Sequence, residues 1–485
     1  MNPARLVFPG LRWGERGITE VWAEVSRALD LGVGGFVVFG GSVEAMRGLA
    51  ARARDYAGRP VLFAADLERG TAQQFEGATP LPPPAALGYS GGDSVAQAAR
   101  ITALEAREAG VGWVLAPVAD IDVEASNPIV GTRSFGGDAK RVAGFVREWV
   151  TAAQAEGVHA CAKHFPGHGR TSVDSHAELP VVNAQAADLE DDLLPFRAAI
   201  AAGVRTIMLA HVCYPALDPS GAPASLSKTI IDFLRDELGF TGAVVTDALM
   251  MGAIAASGRS EAEAVVEAVR AGCDALLYPS SVDHTCAALV RGLDSGDLDE
   301  ARVAQAVERL EAAAEAIAQP SDAPRAPGRE TALRLAVNSL RMVRGSVPRL
   351  KPGDTVCIHV VDDDVAPPAR AAAPGSTPPE RGIFGQSLAA RGIRVLAGDA
   401  LDGPRELIAV FSEVRAWKGR AGLAPESLQA VADLLGRRPD APLILFAHPR
   451  LAAQLPGAPN VACAWCGDPL MQDAAAAYLV DRGSV

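Results

Sequence analysis

The chain has 485 residues, of which 49% are hydrophobic, and a formal net charge of −13 at pH 7. This length exceeds one ordinary domain and predicts two or three, with ample apolar side chains for a large core. The acidic balance argues against nucleic acid and anionic membrane surfaces as partners, because both attract basic patches.

Cysteine usage and the length of apolar runs indicate the cellular setting. Seven cysteines, an odd number without framework spacing, disfavour a disulfide-stapled secreted fold. The Cys463-Ala464-Trp465-Cys466 pair has no second pair or nearby histidine, so a structural role is favoured over zinc or redox chemistry. The N-terminus lacks the apolar region of a signal peptide, and no apolar run reaches the ~20 residues of a membrane span. We therefore expect a soluble, cytoplasmic protein.

Short apolar runs alternate with amphipathic, alanine-rich segments up to about residue 317. Eight such runs predict a (β/α)8 barrel, rather than a doubly wound open sheet, because polar residues repeatedly fall where strands end. The predicted strands are Leu6 to Phe8, Gly35 to Phe39, Val61 to Asp66, Trp113 to Val118, Val158 to His164, Thr206 to His211, Ala243 to Asp247 and Asp274 to Tyr278. The predicted helices between them include Val21 to Leu31, Val95 to Ala109, Ala139 to Glu156 and Ala186 to Ala202.

A proline-rich segment marks a boundary, so we assign residues 1–317 to a catalytic barrel, 318–330 to a linker and 331–485 to a C-terminal α/β domain. No catalytic constellation is found in this second domain. Its Asp362-Asp363-Asp364 run is expected to be a solvated turn, with a metal site as the alternative. The second domain is predicted from helices Thr331 to Asn338 and Glu426 to Leu435, and from strands Val356 to Val361, Leu407 to Phe411 and Leu443 to Ala447.

Ionisable residues concentrate where the fifth predicted strand ends. The run Lys163-His164-Phe165-Pro166-Gly167-His168-Gly169 is followed by Asp174-Ser175-His176. Proline and glycine interrupt any regular element there, so these side chains belong to a loop held by a rigid scaffold, where catalytic residues are common. Polar residues also end three other strands: Asp66 the third, His211 the sixth and Asp247 the seventh. In a barrel these ends share one face, so the residues are expected to converge on one pocket.

Zinc is the main chemical alternative for this cluster. His164, His168, Asp174 and His176 carry atoms that zinc prefers. Their spacing is not that of a helix face, however, and Pro166 with its neighbouring glycines prevents a helix. Lys163 beside the ligands also disfavours a cation, so we expect neither a metal nor another cofactor.

The Lys163–Gly169 run with Asp174-Ser175-His176 resembles the signature of the β-N-acetylglucosaminidase branch of glycoside hydrolase family 3. The resemblance covers roughly the first two-thirds of the chain well and the last third loosely. Further segments agree with it in order: Asn127-Pro128-Ile129-Val130-Gly131-Thr132-Arg133-Ser134-Phe135-Gly136, Ala210-His211-Val212, Tyr214-Pro215-Ala216-Leu217 and Val245-Thr246-Asp247-Ala248-Leu249-Met250-Met251-Gly252.

The resemblance implies a retaining β-N-acetylhexosaminidase with an α/β sandwich after its barrel, acting on a small GlcNAc-containing glycoside. It implies Asp247 as the nucleophile, with cationic neighbours such as Lys163 keeping it ionised. It implies His176, oriented by Asp174, as the acid/base. Substrate contacts are implied for Asp66, Arg133, Lys163, His164 and, equally suited to bracing the pocket, His211, while His168 shapes the loop.

Three positions depart from the family pattern. Thr71 and Gln74 stand where arginines are usual, which removes positive charge from the non-reducing-end subsite. Ala248 replaces an aspartate that usually follows the nucleophile. These departures leave a β-glucosidase or a non-catalytic sugar-binding protein as alternatives. The resemblance also leaves a phosphorylase on the same scaffold, because a neutral His176 would not repel phosphate as a carboxylate would.

Overall fold

The computed structural model describes residues 2–14, 16–317, 328–364, 380–396, 405–413 and 420–480. Contacts divide the chain into two compact units. The first comprises residues 1–79, 95–124 and 136–326, and the second comprises residues 80–94, 125–135 and 327–485. Most of the linker proposed at 318–330 lies outside the described residues, and a helix already begins at Gly328.

Nine short strands of the described chain form the centre of the first unit, and their neighbours pair in parallel. Seven of them make one sheet in which the spatial order follows the chain order. The strands are β1 Val7–Phe8, β2 Gly10–Arg12, β3 Gly35–Phe39, β4 Leu62–Ala65, β5 Trp113–Val114, β6 His159–Phe165, β7 Thr206–Leu209, β8 Ala243–Thr246 and β9 Leu276–Leu277.

Two further pairings close this sheet into a ring. β1 pairs with β9, and a parallel bridge joins Val245 of β8 to Ala275, beside β9. β1 and β2 are two halves of one strand that is interrupted at Pro9, because proline has no N–H for the ladder. The pairing thus returns to its first strand, which confirms the predicted (β/α)8 barrel.

Helices follow the strands as the periodicity predicted, and α1, α4, α5 and α6 correspond to the four helices named from sequence. The helices are α1 Ile18–Leu31, α2 Val43–Ala57, α3 Pro84–Ser90, α4 Ser94–Glu108, α5 Ala139–Ala155, α6 Ala186–Ala201, α7 Lys228–Asp232, α8 Gly252–Ala256, α9 Glu261–Ala271, α10 Val282–Ser295 and α11 Glu300–Ala316. Of these, α3 belongs to the second unit.

Local signals set several helix ends. At the start of α9 the Ser260 hydroxyl accepts from the Glu263 N–H, while the Glu263 carboxylate accepts from the Ser260 N–H at 2.9 Å. This reciprocal capping satisfies two backbone donors that have no intrahelical partner. α1 ends at Gly32, whose φ of 94° lies in the left-handed region that glycine tolerates.

A buried carboxylate ties the last part of the barrel together. Asp274 has no exposed surface and accepts from the Val244 N–H at 2.9 Å. Its two oxygens also pair with three guanidinium groups, at 2.9 Å for Arg235, 2.6 Å for Arg302 and 3.1 Å for Arg309. The positive charges of α11 and of the segment before β8 therefore converge on one residue at the start of the last strand.

The second unit contains a six-stranded sheet with one antiparallel edge pair, β10 with β15, and the order β10–β15–β14–β13–β11–β12. The three strands named from sequence correspond to β11, β13 and β14. The elements are α12 Gly328–Asn338, β10 Arg341–Arg344, β11 Thr355–Asp362, α13 Ile383–Ala390, β12 Arg394–Leu396, β13 Arg405–Ser412, α14 Pro425–Arg437, β14 Leu443–Ala447, β15 Val461–Cys463 and α15 Pro469–Val480.

Helices cover both faces of this sheet. Val431 and Leu435 of α14 pack in one buried cluster with side chains of β13 and β14. On the other face, the Phe384 ring of α13 lies 5.5 Å from the Phe446 ring, which stacks on Phe411 at 4.4 Å. The predicted α/β sandwich is confirmed.

Two segments from the range assigned to the barrel belong to the second unit by their contacts. In segment 80–94, the Tyr89 ring lies 5.7 Å from the Trp465 ring. In segment 125–135, the Ala125 carbonyl accepts from Arg450 at 3.0 Å. The boundary between the units is thus not one point in the sequence.

The aspartate run Asp362–Asp364, which begins at the last residue of β11, is not a solvated turn, and that prediction was wrong. Asp363 and Asp364 are 7% and 3% exposed. Arg381 pairs with Asp362 and Asp364 at 2.9 Å each, and Arg420 pairs with Asp363 at 2.9 Å. These partners lie far along the chain, so the local sequence did not reveal them.

No helix in the described part of the chain combines the length and the apolar character that crossing a bilayer requires.

Replacing Asp274 by Ala should lower the free energy of unfolding by about 3–5 kcal/mol, because it leaves three buried or half-buried arginines without their carboxylate. Urea unfolding monitored by tryptophan fluorescence measures this change. The control is Asp232→Ala, which breaks an exposed pair with Lys228 and should change stability by no more than about 0.5 kcal/mol. Equal effects of the two variants would contradict the role given to Asp274.

His159, at the start of β6, should make the protein sensitive to acid. Burial, with a smaller effect of Arg205, lowers the pKa of His159 from 6.5 to about 4. Between these values the unfolded chain binds a proton that the folded chain does not, so stability falls as pH falls. When the pH is lowered from 7.5 to 5, the free energy of unfolding should therefore fall by about 2 kcal/mol less in His159→Gln than in the parent. Parallel stability-versus-pH curves for both proteins would contradict this assignment.

Candidate active site

The polar residues named at strand ends lie at one rim of the barrel. Asp66 and Asp247 directly follow β4 and β8, and His211 follows β7 by two residues. Lys163 and His164 lie near the end of β6. Because the strands are parallel, their carboxyl ends meet at the same face, where barrel enzymes place their active sites.

Lys163 is held between two carboxylates. Its ammonium group lies 2.5 Å from Asp66 Oδ1 and 2.7 Å from Glu68 Oε1. Lys163 and Glu68 are buried, whereas the side chain of Asp66 is 30% exposed. The lysine charge is thus balanced locally, and part of the Asp66 carboxylate remains exposed at the rim.

Asp120 organises the first two histidines of the loop. Its Oδ2 lies 2.8 Å from His164 Nδ1, and its Oδ1 accepts from the N–H groups of His164 and His168 at 3.1 and 2.7 Å. Burial acts against ionisation of Asp120, but its interaction with His164 and the hydrogen bonds that it accepts from His164 and His168 prevail and lower its pKa. An ionised, buried Asp120 therefore sets both the ring orientation of His164 and the path of the chain after β6.

His168 is a structural residue of the loop. Its Nδ1–H donates to Thr171 Oγ1 at 2.8 Å, because the Thr171 hydroxyl itself donates to the His168 carbonyl. Its Nε2 accepts from the Ser175 hydroxyl at 3.0 Å. Burial lowers the pKa of His168 to about 4, so the ring is neutral and links two points of the loop.

Asp174 and His176 form a pair within the same loop. His176 Nδ1 lies 2.7 Å from Asp174 Oδ1, which also accepts from the His176 N–H at 2.9 Å. The Asp174 side chain is 8% exposed, whereas that of His176 is 48% exposed. A buried carboxylate thus orients an imidazole whose other nitrogen can exchange protons.

Asp247, at the barrel rim, stays ionised. Burial acts to raise its pKa, but nearby imidazoles and the Ala248 N–H, which donates to Oδ1 at 2.7 Å, lower it to about 2. Those imidazoles belong to His164, His211 and His176. Histidines, rather than the Lys163 that we expected, are therefore the neighbours that lower the pKa of this carboxylate.

His211 braces the segment that carries Asp247. Its Nε2–H donates to the Ala248 carbonyl at 3.1 Å, and its Nδ1 accepts from the Ser225 hydroxyl at 2.6 Å. Burial lowers the pKa of His211, in keeping with a neutral ring that has both nitrogens bonded to protein. Of the two roles considered from sequence, this geometry supports bracing.

Thr71 and Gln74, which depart from the family pattern, lie in different environments. Thr71 is fully buried, and its hydroxyl donates to the Thr102 carbonyl of α4 at 3.0 Å. Gln74 lies near the site, with its amide 3.4 Å from the Asp66 carbonyl. Only Gln74 therefore changes the charge beside Asp66, whereas Thr71 packs against a helix.

Arg133 lies in the second unit, on the short 3-10 turn Gly131–Arg133. Its guanidinium donates to the Ile129 carbonyl at 3.3 Å. The role of Arg133 as a substrate contact stays a prediction from the resemblance.

The histidine-rich loop does not have the geometry of a metal site. Both ring nitrogens of His168 are engaged by hydroxyl groups. Across the residues that the structure describes, a grouping of potential ligand atoms within 4.8 Å of one another occurs at Cys357, His359 and Glu406 of the second unit. The four residues considered for zinc from sequence do not form such a grouping.

The Cys357, His359 and Glu406 cluster is better explained as an ion network. Cys357 and Glu406 are opposite each other on β11 and β13, and His359 bonds Glu406 directly. Arg438 Nε lies 3.0 Å from the same Glu406 oxygen. The carboxylate already has its counter-ion, so an additional cation would have to displace the arginine.

The Cys463 and Cys466 pair is engaged separately. Cys463 Sγ donates to the Ala447 carbonyl and Cys466 Sγ to the Asp468 carboxylate, each at 3.1 Å. Both side chains are buried. This arrangement agrees with the structural role predicted for the pair.

Sequence reasoning missed Glu68, Asp120, Ser175 and Ser225. Asp120 could have been found, because it follows the fourth strand as Asp66 follows the third. Glu68 lies two residues after Asp66, but its partner Lys163 is distant in the sequence. Ser175 lies inside the Asp174-Ser175-His176 run, where nothing marked a role of its own, and Ser225 bonds a residue 14 positions away.

Asp120→Asn should lower kcat/KM for a glycoside substrate by about 10- to 100-fold, because an amide cannot accept from His164 Nδ1 and the backbone N–H groups in the same way. Steady-state kinetics and a thermal melt of the same sample measure this effect. Asp138→Asn is the control, since asparagine also caps the exposed start of α5. An unchanged kcat/KM for Asp120→Asn would show that His164 needs no such support.

Known proteins share this architecture. The glycosyl hydrolase family 3 N-terminal domain matches residues 20–313. A β-N-acetylglucosaminidase/β-glucosidase of Cellulomonas fimi is 38% identical over 264 residues, which are 52% of this chain and 46% of that protein, so the chain spans about half the length of that relative.

Two further proteins match over more of their own length. A β-hexosaminidase of Nitrosomonas eutropha is 35% identical over 57% of this chain and 84% of its own length. The solved structure of a glycoside hydrolase family 3 β-N-acetylglucosaminidase from Paenibacillus sp. str. FPU-7 superposes with a TM-score of 0.85, at 27% identity, over 100% of this chain and 97% of that one. The family match covers more than half of the 485 residues, so this chain belongs to glycoside hydrolase family 3.

Proposed function

We propose that this chain is a retaining β-N-acetylhexosaminidase that releases terminal β-linked N-acetylglucosamine. The observation that carries the proposal is the buried Asp174 bonded to the half-exposed His176, on the same barrel rim as the ionised Asp247. Retention requires a carboxylate nucleophile and a second group that first gives and then takes a proton. The names of the relatives support the choice of sugar.

In the first step, Asp247 attacks the anomeric carbon and the bond to the leaving oxygen breaks. A pKa of about 2 keeps this carboxylate ionised at neutral pH, as a nucleophile must be. The protonated His176 gives its Nε2 proton to the departing oxygen, while Asp174 accepts from Nδ1–H and stabilises the imidazolium. The products are a free alcohol and a glycosyl ester of Asp247.

In the second step, neutral His176 accepts a proton from water at Nε2. The resulting hydroxide attacks the anomeric carbon, and the ester bond to Asp247 breaks. Double inversion returns the sugar in its original β configuration. The 48% exposure of the His176 side chain is consistent with both roles, since the ring must meet the leaving group and then water.

Sugar recognition is proposed for the remaining residues at the rim. Asp66 and Lys163 carry opposite charges 2.5 Å apart and can accept from and donate to neighbouring sugar hydroxyls. His164, oriented by Asp120 through Nδ1, contributes its Nε2. His211 acts through the Ala248 carbonyl as a positioning residue.

The cellular setting proposed is the cytoplasm, with GlcNAc-containing wall fragments as substrates. The seven cysteines, all of them within the described residues, form no disulfide bond. Thiols that stay reduced are typical of a reducing compartment.

Turnover of an aryl β-N-acetylglucosaminide, compared with the matching β-glucoside, tests the proposal. We expect the N-acetylglucosaminide to be hydrolysed, Asp247→Ala to be inactive, and His176→Ala to lose about 10²- to 10⁴-fold with a poor leaving group. Asp138→Asn is the control and should retain parent activity.

Other results would assign a different activity or reject the proposed one. Faster release from the glucoside would indicate a β-glucosidase, and a sugar phosphate formed on addition of phosphate would indicate a phosphorylase. Binding of GlcNAc oligomers without any turnover would indicate a sugar-binding protein. Substantial turnover by Asp247→Ala would reject the nucleophile.

A further inference from the structure

The loop that carries Asp174 and His176 is bonded through its backbone to the helix after Asp247. The Gly252 N–H donates to the His176 carbonyl at 3.1 Å, and the Ala253 N–H donates to the Ser175 carbonyl at 3.2 Å. Gly252 and Ala253 open α8, five residues after Asp247. The two halves of the proposed chemistry, which come from different strands, are thus joined directly.

These N–H groups need partners from outside their helix. The first N–H groups of any helix have no intrahelical acceptor. The residue before α8 is Met251, and no side chain caps the helix. The Ser175 and His176 carbonyls therefore serve as the cap, so the loop completes the helix and the helix fixes the loop.

Glycine is required at the first position of α8 for this contact. A Cβ on Gly252 would lie 2.7 Å from the His176 carbonyl oxygen and 2.9 Å from the Ala177 carbonyl oxygen. Both are backbone atoms, which cannot rotate away as the end of a long side chain can. Any other residue would push the acid/base loop away from α8.

One atom of the loop, Asp174 Oδ2, disfavours the packed conformation. Asp174 Oδ1 accepts twice from His176, but the buried Oδ2 has no hydrogen-bond partner among the described residues. An unpaired buried carboxylate oxygen favours any movement that hydrates it. His168 holds the loop through Thr171 and Ser175, and the α8 backbone holds it at His176.

We propose that Gly252 is a positioning residue that docks the His176 loop against the segment carrying Asp247. It sets the spacing between the proton-transfer group and the nucleophile without touching the substrate. This inference rests on the roles proposed for His176 and Asp247.

The test is Gly252→Ala, compared with His176→Ala and with Gly48→Ala. Gly48 is an exposed residue of α2 with an ordinary φ, and a methyl group added there would meet no atoms within 4 Å, so it is the matched control. The substrate is the dinitrophenyl β-N-acetylglucosaminide, whose leaving group departs without an acid. Turnover is then limited by the step in which His176 activates water. Azide can replace that water as the nucleophile, because azide needs no base.

We expect Gly252→Ala to lose about 10- to 100-fold in kcat, as a shift of about 1 Å in a catalytic group can produce. Azide should raise its turnover several-fold and yield the glycosyl azide, as with His176→Ala, while the parent and Gly48→Ala do not respond. Parent-like kcat in Gly252→Ala, or a loss that azide does not relieve, would overturn the inference.

Failure of the proposed function gives a different pattern. If His176→Ala keeps its activity, or responds to no azide, the acid/base assignment itself is wrong. If His176→Ala responds and Gly252→Ala behaves like the parent, only the docking role is wrong.

Hydrogen exchange of the parent protein tests the contact without any variant. The Gly252 and Ala253 amides, which lack intrahelical acceptors, should exchange at least about tenfold more slowly than the first amides of α6, whose N-cap region is exposed. Exchange at the same rate as those amides would show that the loop is not docked in solution.

Discussion

Parallel pairing of β2 to β8 sends every strand of the barrel toward the same rim, and the proposed chemistry depends on that constraint. Asp66, Lys163, His211 and Asp247 are separated by up to 181 positions in the sequence, yet each lies at a strand's carboxyl end. Closure through β1 and β9 makes these ends surround one space. An open sheet with the same strands would spread them along a line.

Charge balance then divides the roles among similar residues. Lys163 is neutralised by Asp66 and Glu68, so it does not act on Asp247 as a free cation. His168 and His211 are buried with lowered pKa values and serve as neutral braces. Only His176 among these three histidines reaches solvent while bonded to a buried carboxylate. The fold thus reserves proton transfer for one imidazole.

The loop that bears this imidazole is fixed largely by backbone atoms. The Ser175 and His176 carbonyls cap α8, and the Asp120 carboxylate accepts from the N–H groups of His164 and His168. Backbone contacts of this kind depend on the path of the chain more than on side-chain identity. They explain how a glycine, which offers no chemistry, can matter at an active site.

The sequence by itself determined the barrel and its strands, because periodicity is a local property. The pairing of Asp174 with His176 was implied by the family resemblance, which a two-residue spacing allows. Sequence reasoning missed β10, β12 and β15, and of these β10 and β12 carry arginines that interrupt their apolar runs. Only the tertiary structure decided that Lys163 belongs with Asp66 and Glu68, that segments 80–94 and 125–135 join the second unit, and that α8 receives the His176 loop. Each of these depends on groups that are distant in sequence, whose meeting is set by strand order and packing rather than by any local preference.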